Sequence, residues 1–152
     1  MPHIHDKIDF TADVFVVHKN KVLLRMHDKY HMWLCVGGHI ELDENPNQAA
    51  LREVKEEVGL DIRLVGDGKI IDDTDGHTEL IRPRFLNIHR INANHQHVGL
   101  VYFATSDTDH VIPERPEDKW KWVAAGELDA MDLKPHVRLY AGYALRELGQ
   151  LS

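Results

Sequence analysis

The chain has 152 residues, 43% of them hydrophobic and 28% charged, as is typical of a globular domain with a sizeable core. Its formal net charge of −7 argues against broad binding to nucleic acid polymers or anionic membranes, because both need basic patches. No apolar run is long enough to predict a membrane span, and we expect no signal peptide. The single cysteine, Cys35, cannot form an intramolecular disulfide, so we expect a cytoplasmic location.

Runs of valine, isoleucine, leucine and aromatic residues predict a series of strands joined by polar turns. In chain order the predicted strands span residues 11–18, 22–26, 33–36, 61–65, 69–71, 81–91, 95–105 and 120–123. Residues 1–10 are expected to be frayed, and residues 19–21 to turn the first hairpin. The 95–105 strand is expected at the centre of the sheet, and Pro83 at an edge or at the start of its strand.

Two helices are predicted. The first, Pro46–Val58, has Asn45 as its N-cap, Gln48 as a capping-box partner and Gly59 at its C-terminal cap. The second, Pro135–Leu148, carries one apolar stripe. Strands interleaved with two helices predict an α/β fold, with helices on both faces of a mixed sheet, in one domain over residues 1–152.

Glu53, Glu56 and Glu57 lie at positions i, i+3 and i+4 of the first helix and therefore share one face. That face is opposite an apolar stripe formed by Ala50, Leu51, Val54 and Val58. Three like charges destabilise a bare helix, whereas a divalent cation such as Mg²⁺ would be held by their oxygens. The spacing alone also fits a solvated acidic face.

The residues before this helix favour the metal site. Gly37 and Gly38 let the backbone bend sharply and approach a ligand closely, and Glu41 and Glu44 add two carboxylates. A glycine bend, two acids and a helix with three more acids are not the pattern of a simple solvated face.

The segment 38–60 fits the Nudix box, G-x5-E-x7-R-E-U-x-E-E-x-G-U with U a bulky apolar residue, at every fixed position. The matching residues are Gly38, Glu44, Arg52, Glu53, Val54, Glu56, Glu57, Gly59 and Leu60. Nine constrained positions at fixed spacing make a specific signal. The chain therefore resembles the Nudix (MutT-like) hydrolases, although Leu42-Asp43 stands where family members often carry Pro-Gly. The resemblance implies an α/β/α sandwich with a mixed central sheet.

The resemblance also implies an activity. Family members use Mg²⁺ or Mn²⁺ to direct water at the phosphorus of a nucleoside diphosphate linked to another group, or of a nucleoside triphosphate. It implies that Glu53, Glu56 and Glu57 act as metal ligands and base, with the Gly37 carbonyl as a further ligand. Arg52 is expected to orient a neighbouring glutamate. Glu44 matches a family position that supports the loop and the helix.

Several residues outside the helix are candidates for the same site. Resemblance places Arg25 near a substrate phosphate, and a solvated arginine at a strand end is the alternative. His39, inside the box loop, is expected near phosphate. Family members often supply one more acid from the loop before the last strand, and there we favour Glu117 over Glu114 and Asp118, an ordinary solvated loop glutamate being the alternative. His95 and His97 alternate along a strand and point the same way, either towards substrate or as a half-buried or surface pair.

Two other functions fit the same fold. One is a non-catalytic nucleotide-sensing or protein-binding module, which usually loses box acids; this chain keeps them all. The other is a diphosphate isomerase, for which we can place no additional catalytic residues. The expected partner is a small-molecule nucleotide diphosphate derivative, with no nucleic acid polymer and no membrane. The oligomeric state stays open, a homodimer being one arrangement.

Overall fold

The structure is a computed structural model that describes residues 5–68 and 75–149. Its strands are β1 (Ile8–His18), β2 (Lys21–His27), β3 (Met32–Leu34), β4 (Val36–His39), β5 (Ile62–Val65), β6 (Phe85–Asn92), β7 (His95–Ser106) and β8 (Trp120–Ala124). Its helices are α1 (Pro46–Val58), α2 (Ala125–Ala130) and α3 (Pro135–Leu148).

The sheet is built on the parallel pair β1 and β7. Their register runs from Ile8 opposite Gln96 to Val17 opposite Thr105. The other edge of β1 is shared by the antiparallel strands β4 and β2, and the other edge of β7 by β6 and β5. Strands β3 and β8 pair antiparallel with β2. This mixed sheet with flanking helices confirms the predicted α/β class, and the 95–105 strand is central as expected.

Two helices cover opposite faces of the sheet. Helix α1 packs on the even-numbered β1 side chains, which are Ala12, Val14 and Val16. Helix α3 packs on Phe15 and Val17. Because side chains alternate along a strand, we call these the α1 face and the α3 face of the sheet. Leu51 was expected in the apolar stripe of α1, but it is 43% exposed and Ala49 is buried instead.

The predicted bounds of α1 are confirmed, together with the reasons for them. The Asn45 side chain accepts a hydrogen bond from the Gln48 N–H at 2.9 Å, and the Gln48 side chain accepts one from the Asn45 N–H at 2.9 Å. Gly59 ends the helix in the left-handed region, with φ at 69°. The bounds of α3 are also as predicted.

Other boundaries differ from the prediction. Residues 8–10 are not frayed, because they pair with β7. The predicted strand 33–36 is two strands that separate at Cys35, and the two glycines lie inside β4 instead of forming a bend after a strand. Helix α2 was not predicted.

Further along the chain, β6 begins at Phe85, so Pro83 precedes the strand. The predicted strand 69–71 lies outside the described residues. Among the residues that are described, no helix combines the length and the apolar composition needed to cross a membrane.

Candidate active site

Glu53 is buried and Glu57 is largely buried, so the alternative of a wholly solvated acidic face does not hold. The side chains of Glu53 and Glu57 are 5% and 12% exposed, whereas that of Glu56 is 50% exposed. Burial raises the pKa of Glu53. Burial also raises the pKa of Glu57 to about 7, although the Arg25 charge and a backbone hydrogen bond act against it. Strand β4 packs against α1 and confines these carboxyl groups.

The glycine pair in β4 makes this close approach possible. A Cβ on Gly38 would lie 2.5 Å from Glu53 Oε1, so any other residue would displace the carboxylate. A Cβ on Gly37 would collide with the backbone carbonyl of Ala12 on the neighbouring strand. The Gly37 N–H donates to Glu57 Oε1 at 2.8 Å. The two glycines therefore seat both buried glutamates against the sheet.

Arg52 connects the glutamates to the box loop. Its Nε and Nη2 atoms donate to the two oxygens of Glu44 at 2.9 and 2.6 Å. Its Nη1 atom donates to Glu53 at 2.9 Å and to Glu56 at 3.2 Å, and Nη2 also reaches the His39 carbonyl at 3.1 Å. Hydrogen bonding by Arg52 lowers the pKa of Glu44. These contacts agree with the orienting role expected for Arg52.

Arg25 lies beside Glu57 and is not a solvated strand-end arginine. Its side chain is 12% exposed and forms ion pairs with Glu57 at 3.0 Å and with Asp118 at 3.4 Å. Arg25 Nε is buried and has no hydrogen-bond partner within the described part of the chain. The structure thus brings Arg25 to the site, where it contacts carboxylates.

The loop before β8 exposes the acid that the sequence favoured. Glu117 is 71% exposed, and its carboxylate lies 3.9 Å from Arg115 Nε. Our preference for Glu117 is therefore unsupported by its position. Glu114 is nearer to the glutamates: its N–H donates to the Glu57 carbonyl at 3.1 Å, and its charge helps to raise the pKa of Glu57. The buried carboxylate of Asp118 reaches the site through Arg25.

His39 is not brought to the glutamates either, contrary to its expected place near phosphate. It follows Gly38 in β4, so its ring lies on the α3 face, with Nε2 3.4 Å from Asp9 Oδ2 and 3.4 Å from His97 Nε2. His95 and His97 do point the same way; His95 is buried, at 4% exposed, and His97 is half-buried. Asp9 was not predicted as a site residue, because residues 1–10 were expected to be frayed. The register between β1 and β7 is what places Asp9 beside these histidines.

The donor set on α1 fits a hard divalent cation. Burial disfavours the ionised form of two neighbouring carboxyl groups, and a cation would offset that penalty. Carboxylate oxygens from Glu53, Glu56 and Glu57 are the ligands that Mg²⁺ or Mn²⁺ prefers. In the described geometry Arg25 and Arg52 balance the same negative charges.

Comparison with known proteins assigns the family. The NUDIX domain family model matches residues 8–143. A NUDIX-family hydrolase from Clostridium perfringens is 36% identical, with a TM-score of 0.83 over 92% of this chain and 97% of that one. A MutT NUDIX hydrolase from Burkholderia pseudomallei is 21% identical, with a TM-score of 0.64 over 94% of this chain and 99% of that one. A MutT protein from Methanosarcina mazei Go1 is 18% identical, with a TM-score of 0.67 over 95% and 97%. Because the family model spans most of the sequence, the chain belongs to the NUDIX hydrolase family.

Proposed function

We propose that the protein is a metal-dependent pyrophosphohydrolase. Its substrate would be a nucleoside diphosphate linked to another group, or a nucleoside triphosphate, cleaved by attack of water on phosphorus. The pair of buried Glu53 and largely buried Glu57, seated on the glycines of β4, is the observation that supports this proposal most. Buried carboxyl groups with raised pKa values are typical of functional sites.

The residues that would hold Mg²⁺ or Mn²⁺ are Glu53, Glu56, Glu57 and the carbonyl of Gly37. When bound, such an ion offsets phosphate charge and makes water a better nucleophile. Glu53 and Glu57 are held in place by Gly38, by the Gly37 N–H and by the two arginines, so little reorganisation is needed to bind an ion. The exposed Glu56 completes the donor set on the solvent side.

A carboxylate outside the donor set can accept a proton from the attacking water. Among the loop acids, we propose Glu114 for this role in place of Glu117, because Glu114 lies beside Glu57. Asp118 is a poorer base: burial acts to raise its pKa, but the Arg115 N–H and the charges of Arg25 and Arg115 lower it overall. Arg25 is then a positioning residue for Glu57 and Asp118.

The substrate is proposed to be a small diphosphate compound and not a long RNA. The chain has 18 basic residues against 25 acidic ones, and a polynucleotide binder needs many phosphate contacts. Arg82 and Arg84 pair with Asp67 and Glu147, so their charges are already balanced by carboxylates. A single diphosphate could be held jointly by the metal and a few donors. We also propose a cytoplasmic location, consistent with the free thiol of Cys35.

The deciding experiment uses metal-free protein and a panel of nucleoside triphosphates and nucleotide diphosphate derivatives. Phosphate release is measured after phosphatase coupling, with and without Mg²⁺ or Mn²⁺. We expect turnover of at least one compound only when the metal is added back. Full turnover in excess chelator would contradict the metal requirement.

The substrate class is tested at a pH near 8, where the histidines are neutral. kcat/KM is compared between free nucleotides and capped or triphosphorylated RNA of matched chemistry. We expect the free nucleotide to be preferred, with weak salt dependence. A clear preference for RNA, lost at high salt, would contradict the substrate class that we infer from the net charge.

A further inference from the structure

A second group of ligand atoms lies on the α3 face of the sheet, away from the glutamates. Asp9, His95 and His97 each offer one ligand atom, and these atoms all lie within 4.8 Å of one another. His39 lies against this group, with its Nε2 3.4 Å from Asp9 Oδ2 and 3.4 Å from His97 Nε2. His95 Nε2 lies 3.7 Å from the same Asp9 oxygen. We call these four residues the histidine cluster.

Three adjacent strands hold the histidine cluster. Asp9 stands opposite His97 in the parallel register of β1 and β7. His39 pairs with Thr11 in the antiparallel register of β4, and its side chain lies next to Asp9 on the same face. Asp9, His39 and His95 are 1%, 7% and 4% exposed. The cluster is therefore built on rigid, buried backbone and not on a loop.

Contacts outside the cluster orient two of its side chains. His95 Nδ1 lies 2.9 Å from the carbonyl oxygen of Asp6 and donates to it, so Nε2 is the ring nitrogen that faces the cluster. Asp9 Oδ1 accepts from the His5 N–H at 3.1 Å, which leaves Oδ2 facing the histidines. Such outer contacts are what fix the tautomer and direction of metal ligands.

The spacing matches one class of metal ion. Zinc binds histidine nitrogen at about 2.0–2.1 Å and carboxylate oxygen at about 2.0–2.2 Å, so tetrahedral ligand atoms stand roughly 3.3–3.5 Å apart. Two of the separations here are 3.4 Å and a third is 3.7 Å. Three imidazoles and one carboxylate suit Zn²⁺ and related transition metals, whereas Mg²⁺ prefers oxygen ligands.

We propose that Asp9, His39, His95 and His97 form a second metal site, of the Zn²⁺ class, separate from the glutamate site. A cavity of about 510 Å³ lies beside His95 and is also lined by Ile8, Arg90 and Gln96. The bound ion ties the start of β1 to β4 and β7. It thereby steadies the strand that carries Gly37 and Gly38.

The test uses the full-length protein stripped of metal, with Co²⁺ as a visible probe and Zn²⁺ as competitor. We expect one Co²⁺ per chain with the intense visible bands of tetrahedral coordination, displaced by Zn²⁺ and not by Mg²⁺. We also expect Tm to rise by on the order of 5–10 °C when free Zn²⁺ exceeds its Kd about 100-fold. Absence of these bands, or displacement by Mg²⁺, would overturn the proposal.

Variants locate the ion. The double variant Glu53→Gln/Glu57→Gln removes the glutamate site and should keep the Co²⁺ spectrum unchanged, whatever happens to hydrolysis. Loss of the spectrum in that variant would place the ion on the glutamates and contradict the proposal. His97→Asn should weaken Zn²⁺ binding by about 10–100-fold or more, whereas the exposed control His110→Asn should not change it.

A cluster variant that fails to fold is replaced by another from a different strand. His39→Asn lies on β4 and His97→Asn on β7, and circular dichroism of the metal-free proteins shows which of them is folded. Equal Zn²⁺ affinity in a folded cluster variant and in wild type would exclude the cluster as the site. The wild-type spectrum alone already decides whether a tetrahedral site exists.

Discussion

The glutamate site and the histidine cluster lie on opposite faces of β4, and the chain assembles them in different ways. The three glutamates come from one helix within five consecutive residues, 53–57. The four ligands of the cluster come from three strands, and Asp9 and His97 are 88 positions apart in the chain. Helical spacing reveals the first site in the sequence, whereas strand pairing hides the second.

The two sites also differ in how charge is balanced. Around the glutamates, Arg25 and Arg52 contribute two positive charges to three carboxylates. In the histidine cluster, a single carboxylate lies beside imidazoles, and an imidazole binds a metal ion in its neutral form. Oxygen-rich, highly charged sites suit hard cations, and nitrogen-rich sites suit zinc-like ions. One small sheet can therefore present two kinds of metal chemistry without competition between them.

The largest expected effect separates the two faces by activity. Glu53→Gln and Glu57→Gln should each lower kcat by about 10²–10⁴-fold, because each removes a charge that the proposed chemistry needs. The amide is nearly the size of the carboxyl group, so Tm of the metal-free proteins should change little. Steady-state kinetics and thermal melts measure both quantities.

The matched control for these variants is Glu147→Gln. Glu147 lies on α3 and pairs with Arg84 at 2.9 Å, away from both sites. The Glu147→Gln variant should retain wild-type kcat. Near-normal turnover in both site variants would move the active site elsewhere.

A second variant perturbs the glutamate site through the backbone. Gly38→Ala places a Cβ 2.5–2.8 Å from the Glu53 carboxyl group, so that group must move. Displacement of a catalytic group by about 1 Å can lower the reaction rate about 10²-fold, and we expect kcat to fall by about that factor. Overpacking should also lower stability by about 1–3 kcal/mol, measured by chemical denaturation.

Gly142→Ala is the control for the added methyl group. A Cβ there meets nothing within 4 Å, and the residue lies inside α3. Alanine should leave kcat unchanged and stabilise the helix by about 0.5–1 kcal/mol. Equal activity of the two alanine variants would show that Glu53 tolerates displacement.

A smaller effect is expected from Arg52→Lys. Arg52 contacts both oxygens of Glu44, as well as Glu53 and Glu56, through a planar fork that lysine cannot reproduce. We expect kcat to fall about tenfold, with KM for Mg²⁺ raised because the glutamates are less well oriented. Arg63→Lys is the control, since Arg63 also binds a carboxylate, Asp107, with two nitrogens, but at an exposed site. Indistinguishable kinetics in the two variants would exclude an orienting role.

Local sequence signals predicted the helices well. Both ends of α1 were predicted at the correct residue. The signals were the capping box at Asn45, the proline at the first helical position and the left-handed Gly59, and each of these interactions spans only a few positions. Strand bounds were less accurate. Residues 8–10 were assigned to a frayed segment because their strand character depends on pairing with β7, which no local pattern shows.

The sequence predicted the kind of site and part of the arrangement of its residues. The box motif identified Glu53, Glu56, Glu57 and Arg52, but spacing could not show that Glu53 is buried and Glu57 largely so. Burial there depends on the approach of β4, a tertiary contact. The choice of Glu117 over its neighbours could not be checked from the sequence, because composition does not determine loop conformation. In the structure the loop exposes Glu117 and buries the side chain of Asp118.

The smallest effect tests an ionisable group on the α3 face that neither site uses. Asp13 lies on β1, and a Cβ on the neighbouring Gly99 would be 2.7 Å from its Oδ2. Burial raises the pKa of Asp13 to about 6, with the Thr11 hydroxyl acting weakly in the opposite direction. Since the folded pKa lies above the unfolded value, the protonated form stabilises the fold at low pH, and this contribution is lost as pH rises through about 6.

Asp13→Asn should therefore remove a pH-dependent part of the stability. Between roughly pH 5 and pH 7.5, the metal-free wild type should lose about 1–2 kcal/mol more unfolding free energy than the variant does. Urea denaturation at several pH values measures the difference. Asp107→Asn is the control, because hydrogen bonds from Arg63 lower the pKa of Asp107, so its contribution grows with pH only below the ordinary aspartate pKa and stays constant across this window. If Asp13→Asn keeps the wild-type pH slope, Asp13 is ionised without penalty and the α3 face is more polar than its packing indicates.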